Sequence, residues 1–517
     1  MRDYLKFYID GKWVEPSTSR TLDVINPATE AVAGRIALGA QADVDAAVAA
    51  AKKAFKTWSK TSHAGAPISS VMASAMSGIR LPNSSARRWS TARRSSRLVL
   101  DQVLKALRAA EFGKRMGDIA DAITEEMGAP AWLAQNAQGP AGIGHLMTAI
   151  NALKTYEFEE DRGTSRVVKE PIGVVGFVTP WNWPMNQICA KIGPALATGC
   201  TVVLKPSEIA PFSAQIFTEI CEAAGVPPGV YNLVNGTGPE VGAALSGHPD
   251  VDMISITGST RAGIEVAKNA ANTLKRVHQE LGGKSPNIIL EDADLAKTIP
   301  ASVGSVMMNS GQSCVAPTRM LAPKSRVDEI CNLAKDAAES WMPGDPKGNA
   351  RMGPVVSEAQ WNKIQGLIQK GLEEGAELVT GGPGKPEGLE TGYFVKPTVF
   401  RNVRNDMTIA REEIFGPVLC ILDYDTVDEA VEIGNDTDYG LGGYVSSADL
   451  DKAREVAREI RAGYIAINNA PMDITVPFGG YKQSGNGREF GDHAFSEFLE
   501  LKSILGYNPA PAAAAAH

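Results

Sequence analysis

Of the six cysteines in this chain, one sits in a setting that suits chemistry better than packing. Residues 309–319 read NSGQSCVAPTR, which wraps Cys314 in small and polar neighbours with a glycine three positions ahead. A cysteine thiolate attacks electrophilic carbon readily. A free thiol of pKa about 8.5 is mostly protonated at neutral pH, so it needs a base or local positive potential to react. The other five, Cys189, Cys200, Cys221, Cys331 and Cys420, have no CxxC pairing and no histidines at metal-ligand spacing. They are expected to be buried, inert and reduced, with neither a metal site nor a disulfide framework.

Other stretches offer partners for such a nucleophile. QELGGKSPNI places Glu280 just ahead of Gly282 and Gly283, and a carboxylate on a glycine-flanked turn can swing, as a general base must; an ordinary surface glutamate is the alternative. TPWNWP holds Asn182 between two tryptophans and two prolines, an uncharged amide donor suited to an oxyanion. ITGSTRAG, residues 256–263, puts Gly258 and Ser259 between a strand and a helix, where free amides and the helix dipole meet a pyrophosphate, although the G-x-G-x-x-G spacing is missing. LKPSE closes another strand with Lys205, Ser207 and Glu208, a carboxylate for ribose hydroxyls beside an ammonium. Taken singly, each is also what an ordinary turn supplies.

Alternating strands and helices must position these residues. From Pro171 onward GVVGFV, a helix through 190–198, TVVLK, SAQIFTEICEAAG, VYNLV, VDMISI and GIEVAKNAAN succeed one another, the pattern of a doubly wound parallel sheet. After Gly283 a second α/β set begins with PNIIL, ASVGSVMMN and RMLAP. KFYIDGKWVEP predicts a hairpin at Asp10-Gly11, and Val44, Val48, Ala51, Phe55 and Trp58 keep helical spacing. A chain of 517 residues needs more than one core, and 44% hydrophobic with 21% charged residues is a globular composition. The formal charge of −8 argues against a nucleic-acid or anionic-membrane partner. No apolar run approaches the roughly 18 residues of a membrane span and the N-terminus has no apolar signal core, so a cytoplasmic address is expected. Residues 62–96, rich in Ser, Ala and Arg, show no apolar period; their arginines, with only Trp89 to stack a base, read as a solvated insertion.

PWNWP, KPSE, TGSTRAG, ELGGKSP, GQSC, EEIFGPV and PFGGYKQSG follow one another in the order and at about the separations of the aldehyde dehydrogenase superfamily. The chain resembles that family nearly throughout, 62–96 excepted. The resemblance implies an α/β fold in three parts: a Rossmann-like cofactor domain (1–153 and 172–282, carrying the 62–96 insertion), an α/β catalytic domain (283–481) and a small bridging oligomerisation sheet (154–171 and 495–507). A low-complexity tail (508–517) follows. It implies that Cys314 attacks the aldehyde, that the Asn182 amide and the Cys314 backbone N–H hold the oxyanion, and that Glu280 activates the water that hydrolyses the thioester. Lys191 and Glu489 match groups that relay protons from Glu280. NAD, or NADP, is the implied cofactor, held by Thr179, Pro180, Trp181, Lys205, Ser207, Glu208, Gly258, Ser259, Glu413 and Phe415.

For the aldehyde itself, Trp183, Gln187, Ala190, Ser313, Val315 and Phe478 are expected to line a mostly apolar tunnel. It contains no arginine for a carboxylated semialdehyde, and Ala190 stands where betaine aldehyde dehydrogenases place an aromatic. A homodimer or homotetramer is implied. Two other readings compete: a coenzyme-A-acylating enzyme, against which Glu280 argues, and a retired structural or binding homologue, against which Cys314, Glu280 and Asn182 together argue.

Overall fold

Five short β-branched runs assemble into one parallel core. In the computed structural model, which describes residues 1–61, 103–104 and 111–509, the strands Arg276–Glu280, Met253–Thr257, Val174–Val178, Thr201–Lys205 and Tyr231–Leu233 lie side by side in that order. All are parallel. The side chains of MISIT, TVVLK and YNL are completely buried, as expected of strands covered on both faces, while Arg276–Glu280 nearer the sheet edge is partly open. The chain runs from Val174–Val178 outward to one side through Thr201–Lys205 and Tyr231–Leu233, then restarts on the other side with Met253–Thr257. A switch point therefore opens between the ends of Val174–Val178 and Met253–Thr257, where open α/β sheets place ligands.

The N-terminal hairpin extends this sheet. Phe7–Ile9 pairs antiparallel with Lys12–Val14 and with Tyr231–Leu233, and Asp10 and Gly11 make the turn with φ of 50° and 77°. The helix Gln41–Trp58 packs Val44, Val48 and Ala51 inward. At the opposite edge Gly485–Asn486 pairs with Arg276–Glu280.

A second sheet has the order Glu377–Thr380, Thr398–Arg401, Val418–Tyr424, Arg319–Pro323, Pro286–Ile289, Gly442–Ser446 and Tyr464–Ile467, parallel except at its first pair. The connection 281–285 carries the chain from Glu280, the end of one sheet, to Pro286, the start of the other. Functional residues therefore gather at the C-terminal ends of the first sheet and the N-terminal ends of the second. A third sheet is the hairpin Glu159–Arg162 and Ser165–Pro171 joined antiparallel by Leu499–Ile504. Beyond it Asn508 donates its backbone N–H to Thr164 O at 3.0 Å. The insertion expected at 62–96 and the tail from 510 onward lie outside the described residues. No helix among the described residues is long and apolar enough to cross a membrane.

Candidate functional site

Cys314 is carried by a loop whose backbone shape is over-determined. Asn309, Ser310 and Gly311 adopt left-handed φ of 54°, 55° and 74° in succession, conformations that cost free energy and persist only where the surroundings enforce them. Here they do. The Asn309 amide donates to Asn182 O (2.8 Å) and Gln312 O (3.1 Å) and accepts from Gln138 Nε2 (2.8 Å). Ser310 Oγ donates to Gly353 O, and Gln312 Oε1 accepts from Val356 N. A side chain on Gly311 would stand 2.0 Å from the Gly416 carbonyl, so only glycine fits. Gly283 is equally constrained, because a Cβ there would meet Cys314 O at 2.3 Å.

Within this frame Cys314 is partly open to a cleft of about 170 Å³, shared with Pro180, Trp181, Asn182, Thr257, Gly258, Ser259, Gly282, Glu413 and Phe415. The other five cysteines are buried. Burial, and next the nearby carboxylates of Glu413 and Glu280, push the Cys314 thiol above the ordinary range, while its own backbone N–H favours the thiolate. These influences favour the protonated thiol, and Glu280 is close enough to be felt by it. Asn182 is buried and donates one amide hydrogen to Gln312 O at 3.1 Å. An amide nitrogen has two, and among the described residues the second has no partner, which leaves it for an oxygen in the cleft.

Glu280 is neither a surface glutamate nor on a flexible turn. It ends the strand Arg276–Glu280, pinned between Thr257 and Gly485, so any swing belongs to its side chain alone. The residue is buried, and neither carboxyl oxygen has a hydrogen-bond partner among the described residues. Burial, then the charge of Glu489, raise it well above the usual carboxylate range. Beneath it lie Lys191 and Glu489, which the family resemblance implied, together with Ser255 and His278, which it did not. Lys191 Nζ forms a buried ion pair with Glu489 and bonds Ser255 Oγ at 3.0 Å, which meets His278 Nδ1 at 2.9 Å; His278 Nε2 lies 3.9 Å from Glu280 Oε1. Burial lowers His278 to about 3, so the ring is neutral. Burial alone would raise Glu489, but the Lys191 ammonium holds it low. A charged pair and a neutral imidazole therefore back the Glu280 carboxyl.

The rest of the cleft suits a dinucleotide. Thr179, Pro180 and Trp181 follow the strand Val174–Val178 at the switch point, with Thr179 N donating to Lys205 O at 3.2 Å. Gly258 and the exposed Ser259 open the twelve-residue helix Thr260–Ala271, where Ser259 Oγ accepts from Ala262 N. Lys205 and Glu208 bond each other at 2.6 Å at the end of Thr201–Lys205, Ser207 is buried between them, and Glu208 also accepts from Gly238 N. This group lies beyond the wall of the 170 Å³ cleft, on the side of the first sheet. From the second sheet, Glu413 Oε1 accepts from Gly283 N at 2.9 Å, and Phe415, at φ 57°, sets its ring edge-on to Trp181 at 5.3 Å. Gln360 holds Phe415 O at 2.9 Å and Lys363 holds Glu413 O at 2.7 Å. Both side chains line the cleft, although EAQWNKIQ reads as nothing more than a solvent-facing helix.

On the far side of Cys314 the wall becomes apolar. Ala190, Leu441, Phe478 and Phe490 cluster with Cys314, Val315, Tyr464 and Ile474, and Trp183 Nε1 donates to Ser313 Oγ at 2.9 Å. Gln187 is buried one turn before Ala190 on the same helix.

The aldehyde dehydrogenase family model matches residues 13–80 and 65–504. The chain belongs to the aldehyde dehydrogenase family. A 3-succinoylsemialdehyde-pyridine dehydrogenase of a Pseudomonas species is 52% identical to this aldehyde dehydrogenase over 510 residues, covering 98% of this chain and 99% of the relative. A mutant of aldehyde dehydrogenase C from Pseudomonas syringae, solved with NAD+ and octanal, superposes with a TM-score of 0.90 at 49% identity over 98% of this chain and 97% of the other. The Mycobacterium tuberculosis aldehyde dehydrogenase solved with NAD+ gives 0.88 at 40% identity over 97% and 98%. Among the described residues no group of three or more His, Cys, Asp or Glu could hold a metal ion.

Proposed function

We propose that this aldehyde dehydrogenase oxidises an uncharged aldehyde with an apolar or aryl body to the carboxylic acid, using NAD and water. The observation that carries the reading is the cleft at the switch point shared by Cys314 and Asn182, behind which the buried Glu280 carboxyl, unpartnered among the described residues, is near enough for its charge to act on the Cys314 thiol. The residues at hand fit NAD: a helix N-terminus at Ser259 for the pyrophosphate, the Lys205–Glu208 pair for the adenosine ribose, and Glu413 with Phe415 for the other ribose and its ring. When bound, NAD supplies the hydride acceptor. Cys314 loses its thiol proton to water and adds as the thiolate to the carbonyl carbon, and the oxygen that becomes negative is held by Asn182 Nδ2 and the Cys314 N–H. Loss of hydride leaves a thioester on Cys314. Glu280 then takes a proton from water as it attacks the thioester, releasing the acid and restoring the thiol, and the Lys191–Glu489 pair sets the affinity of Glu280 for that proton.

The reading is supported by relatives that act on a pyridine-bearing semialdehyde and bind octanal, neither charged like a carboxylated chain. Purified protein with NAD and medium-chain or aryl aldehydes should produce NADH, followed by its absorbance; no NADH with any of them would overturn the assignment. Glu280 sets the protein apart from an enzyme that passes the acyl group to coenzyme A. Six free cysteines suit a reducing, cytoplasmic compartment. The exposed edge strand Leu499–Ile504, with Leu501 72% exposed and Leu505 80%, supports a homodimer or homotetramer built through the third sheet.

NAD is expected to exceed NADP in kcat/KM by tenfold or more, because a 2′-phosphate would meet the Glu208 carboxylate, which Lys205 holds ionised against burial. Glu208→Gln should narrow the gap. Equal kcat/KM for the two cofactors in the native enzyme would refute this placement.

A pH profile tests the role of the buried pair. Glu280 works as a base only when ionised, so kcat should fall on the acid side as it protonates. Glu489 raises Glu280 and Lys191 lowers it. Glu489→Gln is therefore expected to move the acid limb to lower pH and Lys191→Met to higher pH. Limbs that stay put, or move together, would separate the pair from Glu280.

A further inference from the structure

The mostly apolar wall beyond Cys314 has a polar interruption at Asn186. On the helix Pro184–Thr198, Asn186 and Ala190 are one turn apart and share a face, and Ala190 belongs to the cluster that surrounds Cys314. Asn186 is half-buried and its Oδ1 meets His145 Nε2 at 2.7 Å. The His145 ring is buried and packs 4.6 Å from Phe490, which stacks on Phe478 at 4.8 Å. Asn186 and His145 thus lie on the same wall as the two phenylalanines. Burial lowers the His145 pKa, so the ring is neutral: Nε2–H donates to Asn186 Oδ1 and Nδ1 remains an acceptor. The bond also fixes the Asn186 amide, and its Nδ2 has no partner among the described residues. Trp183, at the start of the same helix, is tied to Ser313 beside Cys314, and Ala190 farther along joins the Cys314 cluster, so Asn186 lies between two residues that flank the nucleophile.

We infer that Asn186, oriented by His145, is a specificity-determining donor that selects aldehydes carrying a hydrogen-bond acceptor a few bonds from the aldehyde carbon, such as a γ-keto oxygen. The inference rests on the aldehyde-oxidising reading above and adds the class of substrate. A donor placed in a mostly apolar wall penalises a substrate that leaves it unpaired after displacing water, so it discriminates by chemistry more sharply than an apolar pocket does by shape. A plain alkyl aldehyde would still be oxidised, with a lower kcat/KM.

The test compares an aryl γ-keto aldehyde with its deoxygenated analogue, in which a methylene replaces the keto group, on the native enzyme and on Asn186→Leu and Asn186→Asp. The native enzyme should prefer the keto compound by about tenfold in kcat/KM, mainly through KM, the worth of one hydrogen bond. Both variants should erase that preference while oxidising the analogue within about twofold of the native rate. The aspartate keeps the acceptor for His145 and the side-chain volume, and removes the donor while adding a carboxylate charge, so it guards against a packing effect of leucine. An equal loss on both substrates, or a native enzyme that does not prefer the keto compound, overturns the inference. A native enzyme that yields no NADH from either substrate overturns the aldehyde-oxidising reading instead.

Discussion

Cys314→Ala is expected to abolish NADH formation from every aldehyde, by roughly four orders of magnitude or more, since groups acting as one nucleophilic unit lose nearly everything with the nucleophile. The fold should not notice. The loop is held by Asn309, Ser310 and Gln312 through bonds to Asn182, Gly353 and Val356, and the bonds that hold it do not involve the sulfur. Cys314 is also partly exposed, so its truncation leaves no sealed cavity. NAD affinity, read by calorimetry, and the melting temperature should stay near native values. The buried cysteines give the contrast: Cys189→Ala or Cys221→Ala should lower the melting temperature and leave activity in the folded fraction. More than a trace of NADH from Cys314→Ala would remove Cys314 from the chemistry.

How much of this was legible in the sequence depended on whether the cause was local. The hairpin at Asp10-Gly11 was readable because two left-handed residues make that turn and the pair tolerates them. The strand-helix alternation that builds the first sheet was readable for the same reason, as was the isolation of Cys314 from five packed cysteines. Glu280 was found, but its setting was not. ELGG suggests a loose turn, whereas hydrogen bonding to Thr257 on one side and Gly485 on the other makes Glu280 a strand end, and Gly485 lies 205 residues away in the sequence. Lys191 and Glu489, which back it across 298 residues, were named through the family resemblance, but Ser255 and His278, which link them toward Glu280, follow from no periodicity. Gln360 and Lys363 were missed because their helix is polar, and polarity does not say whether a side chain faces solvent or a cofactor cleft. The left-handed run at 309–311 is the reverse case. Asn and Gly hint at it, yet only the close approach of Gly416 and the buried amide bonds decide it.

Glu280→Gln is the second large effect, and it should divide the reaction where it falls. The amide keeps the shape but cannot accept a proton from water, so hydrolysis of the thioester is expected to slow by about 10² to 10⁴. Formation of the thioester should survive, giving a burst of about one NADH per subunit and then a slow steady rate in rapid-mixing absorbance. Loss of burst and turnover together would mean that Glu280 also draws the proton from Cys314, whose thiol burial and Glu413 hold protonated. A readout without substrate accompanies this. The folded-state pKa of Glu280 is raised by burial and by Glu489, so the native protein keeps the full benefit of this group below its unfolded pKa and loses it as pH rises toward the folded value. Glutamine does not titrate. The variant should therefore melt like the native protein at low pH and hold its melting temperature better as pH rises. Parallel melting curves at every pH would mean that Glu280 is ordinarily ionised in the fold, and the burial of an unpartnered carboxyl beside Cys314 would no longer explain how it serves as a base.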